Sequence, residues 1–140
     1  MESELSKDHE LAPGQVDEKF MDHAQFPRNL GVVPQPSGYA NGIGQCGDSV
    51  EVTLAVDGDL LKDIRVAPHG CVYTVVCASA MSELAKGRTL DEALTLEPED
   101  ITRTVGGLPE DHLHCARLAI NTLGEAIADH YQKHTGKAAP

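Results

Sequence analysis

Apolar and polar positions alternate most regularly between Val50 and Val56: Val50, Val52, Leu54 and Val56 share one side, Glu51 and Thr53 the other. A period of two predicts a half-buried strand. Asp57-Gly58-Asp59 interrupts it, and Asp-Gly suits the positive backbone angles of a tight hairpin. Leu61 to Ala67 reads as the return strand, with Ile64 and Val66 on one face. Beyond Pro68-His69-Gly70-Cys71 the period lengthens. Val72 to Lys86 fits a helix, with Cys77, Ala80, Met81 and Leu84 in one stripe and Val72, Val75, Val76 and Ser79 in another. Gly87 supplies its C-terminal stop.

Upstream, Val16, Phe20, Met21 and Ala24 recur at helical spacing and predict a helix from Gln15 to about Gln25, ended by Pro27. Phe26-Pro27-Arg28-Asn29-Leu30-Gly31 is a structured turn, and the Gly- and Pro-rich run from Pro34 to Gly47 carries at most a short strand. Downstream, Leu90 to Leu94 reads as a short helix and Gly106-Gly107-Leu108-Pro109 as a break. A long helix follows from about Glu110 to His134, with Leu113, Ala116, Ile120, Leu123, Ile127 and Tyr131 on its core face. Residues 1–14 and 133–140 read as flexible tails around one domain, 15–132. Strands first and helices after give an α+β class: a small antiparallel β-sheet of about three strands with helices packed on one face.

Composition narrows the function. The chain has 140 residues, no Trp and 4% aromatics, so the core rests on Leu, Ile, Val, Ala and Met. A formal net charge of -11 argues against nucleic acid and against anionic membrane surfaces as partners. The first residues, MESELSKDHELAPG, lack the basic and apolar regions of a secretory signal, and no apolar run approaches the ~20 residues that span a bilayer. A cytoplasmic protein is the expectation. In that compartment thiols stay reduced, so the four cysteines read first as metal ligands, catalytic groups or core residues.

Three of those cysteines sit at breakpoints. Cys46, in GIGQCGDSV, precedes the first hairpin strand among glycines, with Asp48 two positions on and on the same side of an extended backbone. Two readings stand for it: a ligand beside a carboxylate, or an incidental thiol beside a turn aspartate. Cys71 opens a helix, where free N–H groups and the helix dipole stabilise a thiolate. Cys115 follows His114 at the start of the last helix, so a soft and a borderline donor reach one spot. Cys77, mid-helix among Ala80, Met81 and Leu84, reads as a small core hydrophobe. His23, His112, His130 and His134 fall on predicted helices and read as solvated; His69 lies nearer the candidate site.

No C-x-x-C pair argues for a zinc ribbon or a thioredoxin-type site, and the Gly42-x-Gly44-x-x-Gly47 match precedes a strand instead of joining strand to helix. Soft thiolates select iron–sulfur clusters, zinc or Cu(I). A [2Fe-2S] electron-transfer centre normally takes four Cys. Three Cys plus Asp48 or His114 would hold a cluster less tightly, which suits a site that gives its cluster away; zinc accepts the same ligands.

Phe26-Pro27-Arg28-Asn29-Leu30-Gly31, Cys46-Gly47-Asp48, Gly70-Cys71, Gly87-Arg88-Thr89-Leu90-Asp91-Glu92-Ala93, and Leu108-Pro109 with His114-Cys115 occur in the order and approximate spacing of one family. Over about residues 15 to 132 the chain resembles the IscU/NifU-type iron–sulfur cluster assembly scaffolds. The resemblance implies a cytosolic carrier, not a turnover enzyme. It would build [2Fe-2S] clusters, with coupling to [4Fe-4S] as an extension, and pass them to apo iron–sulfur proteins. By motif match Cys46, Cys71 and Cys115 would be the cluster ligands and the persulfide-accepting candidates. Asp48 would keep the cluster labile and His114 would be an alternative fourth ligand. A cysteine desulfurase would supply sulfur. The alternative within the resemblance is a zinc-dependent sulfur acceptor that activates a desulfurase. The long insertion of that branch is not evident between Cys71 and Cys115, and His114 is present. With no further cluster domain after it, the chain reads as a stand-alone scaffold.

The chain departs from the family pattern at four places. Phe26 replaces an Asn, and Cys77 replaces a small residue such as Ser. The second cysteine is followed by bulky Val72-Tyr73-Thr74 instead of Gly and small residues. The chaperone-recognition stretch Leu-Pro-Pro-Val-Lys becomes Leu108-Pro109-Glu110-Asp111-His112, which counts against recruitment of the specialised chaperone pair.

Overall fold

The computed structural model describes residues 17–134. The proposed tail 1–14 and residues 135–140 lie outside that range. Lys133 and His134, assigned to the second tail, form the last turn of the final helix.

Helix α1 spans Glu18–Gln25, capped by Asp17, whose Oδ1 accepts from Lys19 N at 2.7 Å. Its C-cap is Phe26, immediately before Pro27. Three antiparallel strands follow in sheet order β1-β2-β3: β1 Gly38–Ile43, β2 Ser49–Asp57 and β3 Leu60–His69. Helix α2 spans Val72–Ala85, α3 Leu90–Ala93, α4 Pro98–Thr104, and α5 Leu113–His134, the last preceded by a 3-10 turn at Glu110–His112. The α+β class, the three-stranded sheet and the helices packed on one face stand as expected.

The alternation seen in sequence sets the register. Val52 pairs with Val66 and Leu54 with Ile64, and all four are fully buried beneath α2 and α5. A bulge between Ala55 and Val56 interrupts the ladder, which is why Val56, expected on the core face, is only partly buried. Thr53 faces the other side yet is buried too, because its Oγ1 accepts from Val33 N at 2.8 Å where the segment after α1 crosses the sheet.

Strand β1 is longer than the Gly/Pro-rich sequence suggests. Gly38, Ala40 and Gly42 form its buried face. A Cβ on Gly42 would collide with Thr122 Oγ1 of α5, and one on Gly38 with the Ala126 carbonyl. The glycines let α5 lie against the strand backbone, and α5 carries His114 and Cys115.

Helix α4 was not expected from the pattern. Pro98 at its first position and the Asp100 carboxylate, which accepts from Glu97 N at 2.8 Å, start it; Ile101 and Val105 bury its inner side. In α5 the buried face is broader than the predicted stripe: Leu118, Ala119, Thr122, Ala126 and His130 join it, and Tyr131 is exposed.

Two histidines expected in solvent are core groups. His23 has its Nδ1 2.7 Å from Ser79 Oγ and its Nε2 3.5 Å from Glu83 Oε1. His130 is buried where α5 meets Gly38. Ser79 also accepts from Arg28 N at 2.8 Å, and Ser82 Oγ accepts from Asn29 Nδ2 at 3.0 Å. The Phe26–Gly31 turn is thus fixed onto α2.

Candidate metal centre

The three breakpoint thiols, Asp48 and His114 come together at one end of the sheet, where the β1–β2 loop, the start of α2 and the start of α5 meet. Among the described residues two donor groups form there, each with its ligand atoms within 4.8 Å of one another: Asp48–His114–Cys115 and Cys71–His112–Cys115. Cys46 lies outside both groups, but its Sγ is 3.9 Å from His114 Nε2, which is itself 3.7 Å from Cys115 Sγ.

The β1–β2 loop is a turn, not extended chain. Gly44 N donates to the Asp48 carbonyl at 2.7 Å, and Gly47 adopts φ +84°. Cys46 and Asp48 therefore do not share a side: Cys46 is exposed at the tip, while Asp48 turns inward and is 7% exposed. This corrects the expectation from extended geometry, although both side chains still reach His114. Asp48 has no room to spare. A Cβ on Gly44 would strike its Oδ1, and one on Gly70 would come within 2.7 Å of its Cβ.

Thr74, which sequence reasoning treated only as bulk, joins the donors. Its hydroxyl donates to Asp48 Oδ2 at 2.9 Å and lies 3.8 Å from both Cys71 Sγ and Cys115 Sγ. Asp48 Oδ1 is buried with no hydrogen-bond partner. A carboxylate oxygen left unpaired in the interior is costly unless a cation meets it. His112 Nδ1 is likewise buried and unpaired. Sulfur, nitrogen and oxygen donors converging with two orphaned atoms fit a bound transition-metal ion or iron–sulfur cluster.

The thiols are not equivalent. Cys71 is the N-cap of α2 and exposed. Partial burial pushes its thiol up, but the Thr74 N–H, the Thr74 hydroxyl and the Tyr73 N–H outweigh this and leave it below its ordinary value. Cys115 is 1% exposed; burial, helped by the nearby Cys71 and Asp48 charges and opposed by the Thr74 hydroxyl, pushes it up to about 11. Cys77 is fully buried in α2 and pushed up further, first by burial, and packs in the core as expected. All four cysteines are free.

His112 is not the solvated helical residue that its place in the sequence predicts. It sits in the 3-10 turn, half-buried, stacked on Tyr73 with ring centroids 3.7 Å apart. His69 ends β3 and is exposed, and His134 is exposed on α5. No helix among the described residues is long and apolar enough to cross a membrane.

The NifU-like N-terminal domain profile matches residues 15–137. The chain is 34% identical over 118 residues to the iron-sulfur cluster assembly scaffold protein IscU 1 of Archaeoglobus fulgidus, covering 84% of this chain and 77% of that protein. It is 36% identical over 126 residues to the iron-sulfur cluster assembly scaffold protein IscU of Aquifex aeolicus, covering 85% and 78%. Its fold is similar to the crystal structure of a nitrogen-fixing NifU-like protein (N-terminal) from Brucella abortus, with a TM-score of 0.64 at 19% identity over 84% of this chain and 94% of that one.

Proposed function

Because the chain belongs to the NifU-like N-terminal domain family, we propose that it is a scaffold on which iron–sulfur clusters are assembled and from which they pass to apo-proteins. The observation that carries this reading is the convergence of Cys71, Cys115, Asp48 and His114, with Cys46 at the rim on His114. In this reading Cys46, Cys71 and Cys115 are the cluster ligands, His114 is the alternative fourth ligand, and the cargo is [2Fe-2S], convertible to [4Fe-4S] by coupling.

Asp48 sets the lability. Its carboxylate is a hard oxygen donor beside soft thiolates and suits iron–sulfur ligation less than a fourth cysteine would. Thr74 holds one oxygen through its hydroxyl and leaves the other free to ligate.

Cys71 is the persulfide acceptor in this reading: it is exposed, it opens α2, and the Thr74 and Tyr73 groups lower its thiol. Its thiolate attacks the outer sulfur of the persulfide on a cysteine desulfurase. A new S–S bond forms at Cys71, the donor's S–S bond breaks, and the donor leaves as a thiolate. The protein carries cargo and turns nothing over. Free thiols and a reduced cargo suit the cytoplasm. Glu110 and Asp111 are exposed on the turn that would serve as the chaperone motif, which supports independence from the specialised chaperone pair.

The test is anaerobic incubation with ferrous iron, cysteine and a cysteine desulfurase, followed by visible spectra and acid-labile sulfide. A cluster spectrum that requires Cys46, Cys71 and Cys115 is expected. Asp48→Ala should give a longer-lived cluster with slower transfer; an unchanged transfer half-time would refute the lability role. Zinc-dependent persulfide turnover with no cluster formed would shift the reading to the zinc-dependent sulfur acceptor.

A further inference from the structure

We propose that His112 is itself a metal ligand of this site, acting with Cys71 and Cys115 as a nitrogen–sulfur donor set that leaves Asp48 out. The inference rests on the metal- and cluster-binding reading above and extends it to a residue that reading does not use.

Three observations support it. One ring nitrogen of His112 lies within 4.8 Å of the thiol sulfurs of Cys71 and Cys115, and those sulfurs within the same distance of each other. Nδ1 of His112 is buried without a hydrogen-bond partner, so it has a lone pair or a proton with nothing to meet. The ring is held in place: it stacks on Tyr73 at 3.7 Å and 10°, and Tyr73 packs against Phe20 at 5.3 Å. The bulk after Cys71 is the platform that orients the imidazole.

Cys115 belongs to both donor groups, the one with Asp48 and His114 and the one with Cys71 and His112. The second contains only sulfur and nitrogen, the donors that tetrahedral zinc and iron accept most readily. A metal ion on this thiol therefore has a holding position that does not depend on the carboxylate. His114 is then not the sole imidazole available to it.

The experiment loads the full chain anaerobically with one equivalent of Zn2+. Zinc K-edge X-ray absorption reads the imidazole ligands, and competition with a chelator reads the affinity. His114→Ala is expected to retain imidazole scattering, and His112→Ala to loosen zinc by about tenfold or more. His112→Cys should restore affinity with a thiolate in place of the imidazole. Metal-free thermal unfolding shows whether each variant folds; should His112→Ala not fold, His114→Ala and His112→Cys still decide. Absence of imidazole in His114→Ala, or unchanged affinity in His112→Ala, overturns the inference. If either result overturns the inference while Cys71→Ser still loses zinc, the scaffold reading stands without His112. Wild-type protein that takes up neither zinc nor iron and sulfide overturns both.

Discussion

The Thr74 hydroxyl donates to Asp48 Oδ2 at 2.9 Å while standing 3.8 Å from the sulfurs of both Cys71 and Cys115. One buried side chain from the first turn of α2 thus touches a carboxylate from the β1–β2 loop and thiols from two helices. Thr74→Val keeps the volume and removes the hydroxyl. Asp48 then has both oxygens unpaired in the interior, so the metal-free protein should lose about 1–3 kcal/mol. Cys71 also loses one of the groups that lower it. Denaturant midpoints and the pH–rate profile of Cys71 alkylation read the two effects, and Thr74→Ser should restore both. A Thr74→Val protein with an unmoved alkylation profile would count against the hydroxyl as a thiolate partner.

The thiols should react in a fixed order. Cys71 is exposed and lowered; Cys115 is buried and raised to about 11; Cys77 is buried and raised further. In the metal-free protein at pH 8, iodoacetamide should modify Cys71 well before Cys115, and Cys77 only on unfolding. Peptide mass spectrometry over time gives the order. Cys77→Ala should leave metal uptake unchanged. Cys77 labelling at the rate of Cys71 would contradict its place in the core.

The close approach of β1 and α5 gives a structural test at a distance from the thiols. Gly42→Ala places a methyl against Thr122 Oγ1 and should cost about 1–3 kcal/mol. Thr122 cannot simply swing aside, because it is fully buried and its hydroxyl donates to the Leu118 carbonyl at 2.7 Å. Thr122→Ala should relieve part of the Gly42→Ala loss, giving a non-additive double-mutant cycle from chemical denaturation. Strict additivity would mean that the strand and helix are not in contact at this point.

What could be read from the chain alone follows the range of the interactions. The alternation of Val50, Val52 and Leu54 and the Cys71 helix start are local signals, and both hold in the structure. Pro98 and its acidic first turn are equally local signals for α4, although that segment has no apolar period long enough to predict a helix. The burial of His23 depends on Ser79, 56 positions away, so helical spacing could not reveal it. Tyr73 and His112 are similarly brought together only by the packing of α2 beside the turn before α5. Cys46 and Asp48 differ from their expected placement for another reason: the two-residue rule holds for extended backbone, and Gly44 and Gly47 fold that stretch into a turn.

The two buried histidines predict acid sensitivity in a defined window. His23 is lowered from its ordinary value of 6.5, first by burial and then by Arg28, against the raising effect of Glu83 and Asp22. His130 is lowered from 6.5 by burial and by His134, with Asp129 opposing. Below pH 6.5 the unfolded chain therefore binds protons at these sites that the folded chain does not. Stability contributed by the neutral rings is complete above 6.5 and falls as the pH drops through 6.5 toward the folded-state values. Depressed carboxylates act lower. Asp63, raised by burial but lowered more by the Ile64 N–H, Lys86 and Arg65, sits below 3.8, so its contribution is lost only in stronger acid. Melting temperatures of the metal-free protein should thus decline as the pH falls below about 6.5. His23→Gln, which can still bond Ser79 but cannot titrate, should flatten that decline while lowering stability at pH 8, and His130→Gln should act in the same direction. A decline of undiminished slope in the His23→Gln, His130→Gln double variant would place the acid-sensitive groups elsewhere.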